Sequence, residues 1–181
     1  MVMTKQKPIR IALSGRMGSG KTHFAEKLLE SYGGVRLSFA APIKELYSKY
    51  SEKRMLGDDP CEKRHFSQTV GEGIRLLDSE FWVGLMLERL EGEDESVFVD
   101  DVRYPNEVRA LEEEGFKVIR IVSPDEIRLS KLPAATRARD TVSESETALN
   151  HYKFTYVFYN YYDEASDEKF LQFVKAVWRG D

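Results

Sequence analysis

The chain has 181 residues, 41% of them hydrophobic and 32% charged, with a formal net charge of −4. That length suits one domain with one sizeable core, and the acidic balance argues against general nucleic-acid binding, which favours a basic surface. Cys61 is the only cysteine, which excludes an internal disulfide and fits a reducing cytoplasm; the start of the chain lacks the apolar core of a signal peptide and no run is long enough to cross a membrane.

Ile9 to Ser14 reads as a short apolar strand entering a glycine-rich turn. Thr22 to Tyr32 follows as a helix, with Phe24, Ala25, Leu28 and Leu29 at helical spacing, and Gly33-Gly34 ends it. Val35 to Ala40 is a second strand, and Pro42 opens the next helix. Phe66 to Leu90 is helical, with a break near Asp78-Ser79 where Ser79 can cap a further helix. Arg75 is placed to pair with Asp78 on one helix face, and Trp82 reads as core. Ser96 to Asp101 is a buried strand, Glu107 to Glu114 a helix, Lys117 to Val122 a strand, Tyr156 to Tyr159 a fifth strand, and Glu164 to Trp178 a closing helix. Pro105 fixes the turn before the helix at Glu107, and Asn106 can cap it. Strands alternating with helices imply a parallel sheet covered on both faces, with ligands at the carboxyl ends of the strands. Asp125 to Asn150 interrupts the rhythm. It is polar and falls between the fourth and fifth strands, as a functional lid does.

Gly15-Arg16-Met17-Gly18-Ser19-Gly20-Lys21-Thr22 satisfies G-x-x-x-x-G-K-[ST] between a strand and a helix. The pattern predicts a nucleotide-phosphate cradle. Glycines at Gly15, Gly18 and Gly20 let the main chain approach an anion. The amides of the loop, Arg16 and Ser19 among them, would line it with those of the helix's first turn. Lys21 would meet the β- and γ-phosphates of ATP, and Thr22 would place its hydroxyl on Mg²⁺. The alternative is a glycine-rich turn that merely starts a helix.

Val97 to Arg103 ends a buried strand in Asp100, Asp101 and Arg103. Asp101 and Arg103 lie two apart and point to one side of an extended chain. A carboxylate there can orient an attacking oxygen or hold the shell of a Mg²⁺ ion, for which Asp100 is the candidate. The arginine can grip a second phosphate. The alternative is a structural salt bridge at a strand end. Arg128, Lys131, Arg137 and Arg139 form a basic run without acidic residues, which suits a lid that closes on a moving phosphoryl group. The alternative is a solvated loop.

Together these segments resemble the P-loop nucleoside and deoxynucleoside monophosphate kinases. The phage and bacterial deoxynucleoside branch is the nearest in pattern, and animal-type phosphomevalonate kinase is a distant relative. The resemblance rests on Leu13 to Thr22, on Leu37-Ser38-Phe39-Ala40-Ala41-Pro42-Ile43-Lys44, and on Arg75 and Asp78 ahead of Phe81-Trp82-Val83. It rests most on Asp101-Val102-Arg103-Tyr104-Pro105-Asn106-Glu107, and it continues through Ser145-Glu146-Thr147-Ala148-Leu149 to Asn160. It implies a three-layer α/β P-loop NTPase fold of about five parallel strands with a small lid. It implies one domain over residues 1–181, with an acceptor-binding helical region at about 41–92 and the lid at about 125–150. ATP and Mg²⁺ would be the cofactors. Asp101 and Arg103 would face the acceptor nucleotide, with Phe39, Lys44 and Arg75 along its pocket and Arg128, Arg137 and Arg139 in the lid.

The chain departs from the family in two places. Ser143 stands where relatives carry a histidine, and Thr22 stands where many have aspartate. The second change favours direct metal coordination by a hydroxyl. Three readings stay open: a kinase for nucleoside monophosphates, a kinase for another small acceptor such as phosphomevalonate or a modified base, and a slow nucleotide-hydrolysing switch. The aromatic run Tyr152 to Tyr162 reads either as a homodimer interface or as the last strand and its packing.

Overall fold

The computed structural model describes residues 8–54, 60–137 and 144–180. They form two compact units: one from the start of the described chain to Arg36 together with residues from Glu93 onward, and one from Leu37 to Gly92.

The first unit is built on a sheet. Its strands are β1 (Arg10–Ser14), β2 (Val35–Leu37), β3 (Val97–Val102), β4 (Lys117–Val122) and β5 (Tyr156–Tyr159). The described residues place them in the order β2-β3-β1-β4-β5, all parallel. β1 lies between β3 and β4, with Ile11 opposite Phe98 on one side and Lys117 on the other. This central position explains its unbroken apolar run, since a strand covered on both faces has no side to give to water. Between β1 and β3 the register shifts after Ala12, so that Ser14 pairs with Val102.

Helices α1 (Lys21–Tyr32) and α9 (Ser166–Arg179) supply the apolar residues that meet the sheet. Phe24, Ala25 and Leu28 of α1 join Ile11, Leu13, Phe98, Ile119, Ile121, Phe158, Phe170 and Val174 in one buried cluster. The Phe24 ring stacks on Phe170 with centroids 4.2 Å apart and meets Phe158 edge-on at 5.5 Å. Aromatic pairs in these geometries add about 0.5–1.5 kcal/mol each beyond their burial. Helix α5 (Pro105–Glu113) buries Val108 and Leu111 completely.

Several local expectations change. β2 stops at Leu37, three residues short of the predicted Ala40, because residues 39–40 turn and the Ala41 amide donates to the Ser38 carbonyl at 3.2 Å. Pro105 is the first residue of α5, so Asn106 lies inside the helix and is not its cap. The acceptor for the helix start is instead Glu107, whose Oε2 takes the amides of Arg103 at 2.7 Å and Tyr104 at 3.1 Å. A glutamate at the third helical position reaches back in this way because the first turn leaves amides unpaired. The interval between β4 and β5 is not wholly irregular: it holds α6 (Asp125–Ser130), α7 (Ala134–Arg137) and α8 (Glu144–Thr147).

The second unit consists of α2 (Ala41–Arg54), α3 (Pro60–Leu77) and α4 (Phe81–Leu90). Phe66 meets Tyr47 edge-on and stacks on Tyr50, each at 5.3 Å. The Trp82 indole N–H donates to the Gly71 carbonyl at 3.1 Å and joins α4 to α3, in keeping with a core role. Ser79 does not cap α4. Glu80 holds the N-cap position without a side-chain cap bond, and the Ser79 hydroxyl donates to the Glu80 carboxylate. The Asp78 carboxylate accepts the Glu80 amide at 2.9 Å. Among the described residues no helix is long and apolar enough to cross a membrane.

Candidate functional site

The loop from Gly15 to Gly20 leaves the carboxyl end of β1 and runs into α1. Its carbonyls are all engaged. Lys21 Nζ donates to the carbonyls of Gly15 at 2.6 Å and Arg16 at 3.0 Å. The Arg128 guanidinium donates to Met17 at 3.2 Å, the Tyr162 hydroxyl to Gly18 at 2.5 Å, and the Asn160 side-chain amide to Ser19 at 3.0 Å. In a trans peptide the N–H points away from the C=O. Anchoring the carbonyls turns the amides away from those anchors; the Met17 amide goes to Glu146 and the Ser19 amide to the Arg16 carbonyl, and the remaining amides are those that can build an anion nest.

Two glycines make this close approach possible. Gly18 has φ +75°, and a Cβ there would lie 2.6 Å from the Arg128 carbonyl oxygen. Gly20 has φ +98°, and its Cβ would lie 2.7 Å from Asn160 Nδ2. Helix α1 starts without a side-chain cap and without an acidic residue in its first turn. Its leading amides and the positive end of its dipole face the loop. The Ser19 hydroxyl is buried without a hydrogen-bond partner among the described residues. A positive, amide-lined turn with an unsatisfied buried hydroxyl fits a polyphosphate.

Charge at the loop is concentrated and positive. Lys21 is buried, and its ammonium is pulled down to about 8, first by burial and then by the repulsion of Arg103, with Arg120 adding to it. Arg120 donates to the Ser14 hydroxyl at 3.0 Å and is itself lowered by burial and by Arg16. Arg16 lies 3.7 Å from Asp125. Glu146 is the buried counter-charge: its Oε2 accepts the Met17 amide at 2.8 Å, and its Oε1 pairs with Arg103.

The predicted residues divide between the two units. Gly15, Arg16, Gly18, Ser19, Gly20, Lys21 and Thr22 form the loop and the start of α1, with Thr22 exposed. Asp100 and Asp101 fall on opposite sides of β3. Asp100 lies 3.9 Å from Arg36 and its charge reaches Lys21, whereas the charge of Asp101 reaches Arg103. Arg103 is engaged in a salt bridge to Glu146 and donates to the Ser145 carbonyl at 3.4 Å, so the strand-end pair named as the alternative does form. Phe39, Lys44 and Arg75 belong to the helical unit, where Phe39 is buried, Lys44 exposed and Arg75 half-buried.

Within the basic run, Arg128 departs from the expectation. Arg128 is only 1% exposed; its Nε donates to Asp125 at 2.7 Å and its other nitrogen supports the Met17 carbonyl. It is a strut under the loop and not a cation carried on a lid surface. Arg137 is exposed, with Nε on the Leu132 carbonyl at 3.0 Å. Arg139 and Ser143 lie outside the described residues.

Asn160, Tyr162, Glu146 and Arg120 were not among the predicted site residues. Asn160 follows the last strand, where the carboxyl-end rule for α/β sheets points. Arg120 is a half-buried charge among the apolar residues of the strand Lys117–Val122, a position unusual enough to draw notice. Tyr162 has φ +56°, the one positive value at a non-glycine among the described residues. Its backbone is held by a 2.9 Å bond from its amide to the Asn160 side chain.

No protein-family model matches the chain. Two proteins of Ictalurid herpesvirus 1 (strain Auburn) are similar in sequence. ORF77 is 32% identical over 156 residues, covering 82% of this chain and 62% of that protein. ORF76 is 32% identical over 119 residues, covering 63% and 48%. The chain thus spans less than two thirds of the length of either relative. Among solved structures, shikimate kinase from Acinetobacter baumannii in complex with shikimate matches with TM-score 0.57 and 14% identity, over 97% of this chain and 96% of that one. A gluconokinase from Sinorhizobium meliloti 1021 matches with TM-score 0.55 and 13% identity, over 97% of each. TT1252 from Thermus thermophilus matches with TM-score 0.52 and 22% identity, over 97% and 98%. At these identities the likeness is one of fold. With its parallel five-stranded sheet and a glycine-rich loop leading from the central strand into α1, the chain has the P-loop NTPase fold.

Proposed function

We propose that the protein is a kinase that transfers the γ-phosphoryl group of ATP to a nucleoside or deoxynucleoside monophosphate. The observation that carries the reading is the loop in which the carbonyls of Gly15 to Ser19 are all held, with the desolvated Lys21 beside them. Bound ATP·Mg²⁺ supplies the phosphoryl group and a divalent charge. The chain's part is positioning and charge stabilisation. Loop amides and Lys21 hold the donor phosphates, and burial makes each contact stronger than it would be in water. Thr22 and Asp100 are the residues proposed for the metal. Asp101 orients the attacking oxygen, and Arg103 faces the acceptor phosphate. Phe39, Lys44 and Arg75 are the residues proposed for the acceptor, and Arg137 and Arg139 those proposed to stabilise the transferring group. The P-loop kinase folds of the solved neighbours support a small-molecule acceptor, and the monophosphate itself is argued from the segment Asp101 to Glu107.

The deciding experiment measures ATP consumption against each common ribo- and deoxyribonucleoside monophosphate, with phosphomevalonate included. Phosphorylation of one of the nucleotides, lost in a folded Lys21→Ala variant, is the expected result. Full activity of that variant would sink the cradle assignment. The engagement of Arg103 by Glu146 favours one second reading, a nucleotide hydrolase with no acceptor site. ATP turnover that no acceptor stimulates would select it.

A further inference from the structure

Glu146 meets the charges of Arg103, Lys21 and Arg120, yet no phosphate-binding pattern contains it. Its side chain is 2% exposed. One oxygen accepts the Met17 amide of the loop at 2.8 Å, and the other pairs with Arg103 at the end of β3. Arg103 is thereby also held against the Ser145 carbonyl. The same carboxylate opposes the repulsion that Arg103 and Arg120 impose on Lys21, and it favours the charged form of Arg120. Cations gathered this closely repel one another unless an anion sits among them, and a buried anion survives only if it is paired.

We propose that Glu146 is a positioning residue that ties the phosphate loop to Arg103, and that Arg103 influences donor binding by neutralising Glu146, without touching the donor itself. The proposal rests on the reading that the loop binds ATP. Its consequence has a definite sign. Without Arg103, a bare carboxylate remains hydrogen-bonded to the loop beside incoming phosphates and repels them. Removing that carboxylate's charge as well should restore binding.

The test compares ATP·Mg²⁺ binding to the full chain by equilibrium dialysis, at a temperature where circular dichroism shows every variant folded. Arg103→Ala is expected to raise Kd about tenfold or more, since stripping one partner from a buried pair leaves the other charge uncompensated. Adding Glu146→Gln to Arg103→Ala is expected to bring Kd back to within about threefold of the parent protein, the non-additivity that marks coupled residues. A double variant as weak as Arg103→Ala would overturn the proposal, because Arg103 would then touch the donor directly. Wild-type affinity in Arg103→Ala would overturn it too, leaving a pair that serves stability alone. If Arg103→Ala does not fold, Arg103→Gln with and without Glu146→Gln carries the same comparison. Failure of the wild-type protein to bind ATP·Mg²⁺ would overturn the kinase reading itself, a different result from binding without rescue.

Discussion

Replacing Glu107 with alanine tests how the strand end that carries Asp101 and Arg103 is held. Glu107 is 1% exposed, and a single carboxylate oxygen accepts the amides of Arg103 at 2.7 Å and Tyr104 at 3.1 Å. Hydrogen bonds to charged groups contribute about 1.5–3 kcal/mol each, and because one oxygen serves both amides the lower end applies, giving about 3 kcal/mol in all. For a chain of this size each kcal/mol moves the thermal midpoint by about 2–4 °C, so Glu107→Ala should lower it by about 6–12 °C. Glu107→Gln keeps an acceptor oxygen of the same reach and loses only the charge, so its midpoint should fall by less than half as much. The assay is thermal unfolding followed by far-ultraviolet circular dichroism, with the three proteins in one buffer. A shift under about 2 °C for Glu107→Ala would refute the reasoning. So would equal shifts for the two variants, which would mean that volume and not the acceptor matters.

Lys21 makes binding pH-dependent. Its folded-state pKa of about 8 lies below the ordinary 10.5, so between those values the unfolded chain binds more protons and this group's contribution to stability rises with pH. Phosphates favour the ammonium, so ATP binding above about pH 8 should take up a proton. Its Kd should then weaken by up to about tenfold per pH unit, which calorimetry in buffers of different ionisation enthalpy would measure; a constant Kd across that range would contradict the assignment. Gly34→Ala should be far worse than Gly33→Ala. At Gly34 (φ +98°) a Cβ would stand 2.1 Å from the Ser96 carbonyl oxygen, whereas at Gly33 (φ +67°) it meets nothing within 4 Å. Positive φ alone costs about 1–3 kcal/mol at either position, Gly33 having ψ −165°, so equal thermal midpoints for the two variants would remove the steric argument. Asn160→Ala removes the donor to the Ser19 carbonyl. Losing about 1 kcal/mol of loop anchoring should raise the Kd for ATP about fivefold, and an unchanged Kd would show that the loop keeps its shape unaided.

The parts of this fold that were legible in the sequence are those written in neighbouring residues. The strand Arg10–Ser14, the glycine-rich turn and the helix Lys21–Tyr32 follow from apolar periodicity and glycine spacing within one short segment. The three later strands were legible for the same reason. What escaped was held at long range. Arg128 lies 111 positions from the carbonyl it supports, Glu146 129 from the amide it accepts, and Asn160 141 from Ser19. No periodicity reaches that far. Arg128 reads as a lid cation when charge is counted along the chain, yet Asp125 stands three residues before it. That is the spacing of a pair on a helix, and it carried a signal that Arg128 was spoken for.

Arg103 shows why the two readings of a charged strand end need not exclude each other. A salt bridge at the surface contributes little because water screens it. The Arg103–Glu146 pair is different, since the glutamate side chain is 2% exposed and the arginine side chain 33%. The anion is fixed inside while part of the arginine side chain still meets solvent. Such a pair can meet a second anion at its open side without breaking, because a guanidinium has more donors than one carboxylate can use. On the proposed function, an acceptor phosphate would approach Arg103 from the side that Glu146 leaves open. On this geometry a lysine at that position would keep the charge and lose the second face.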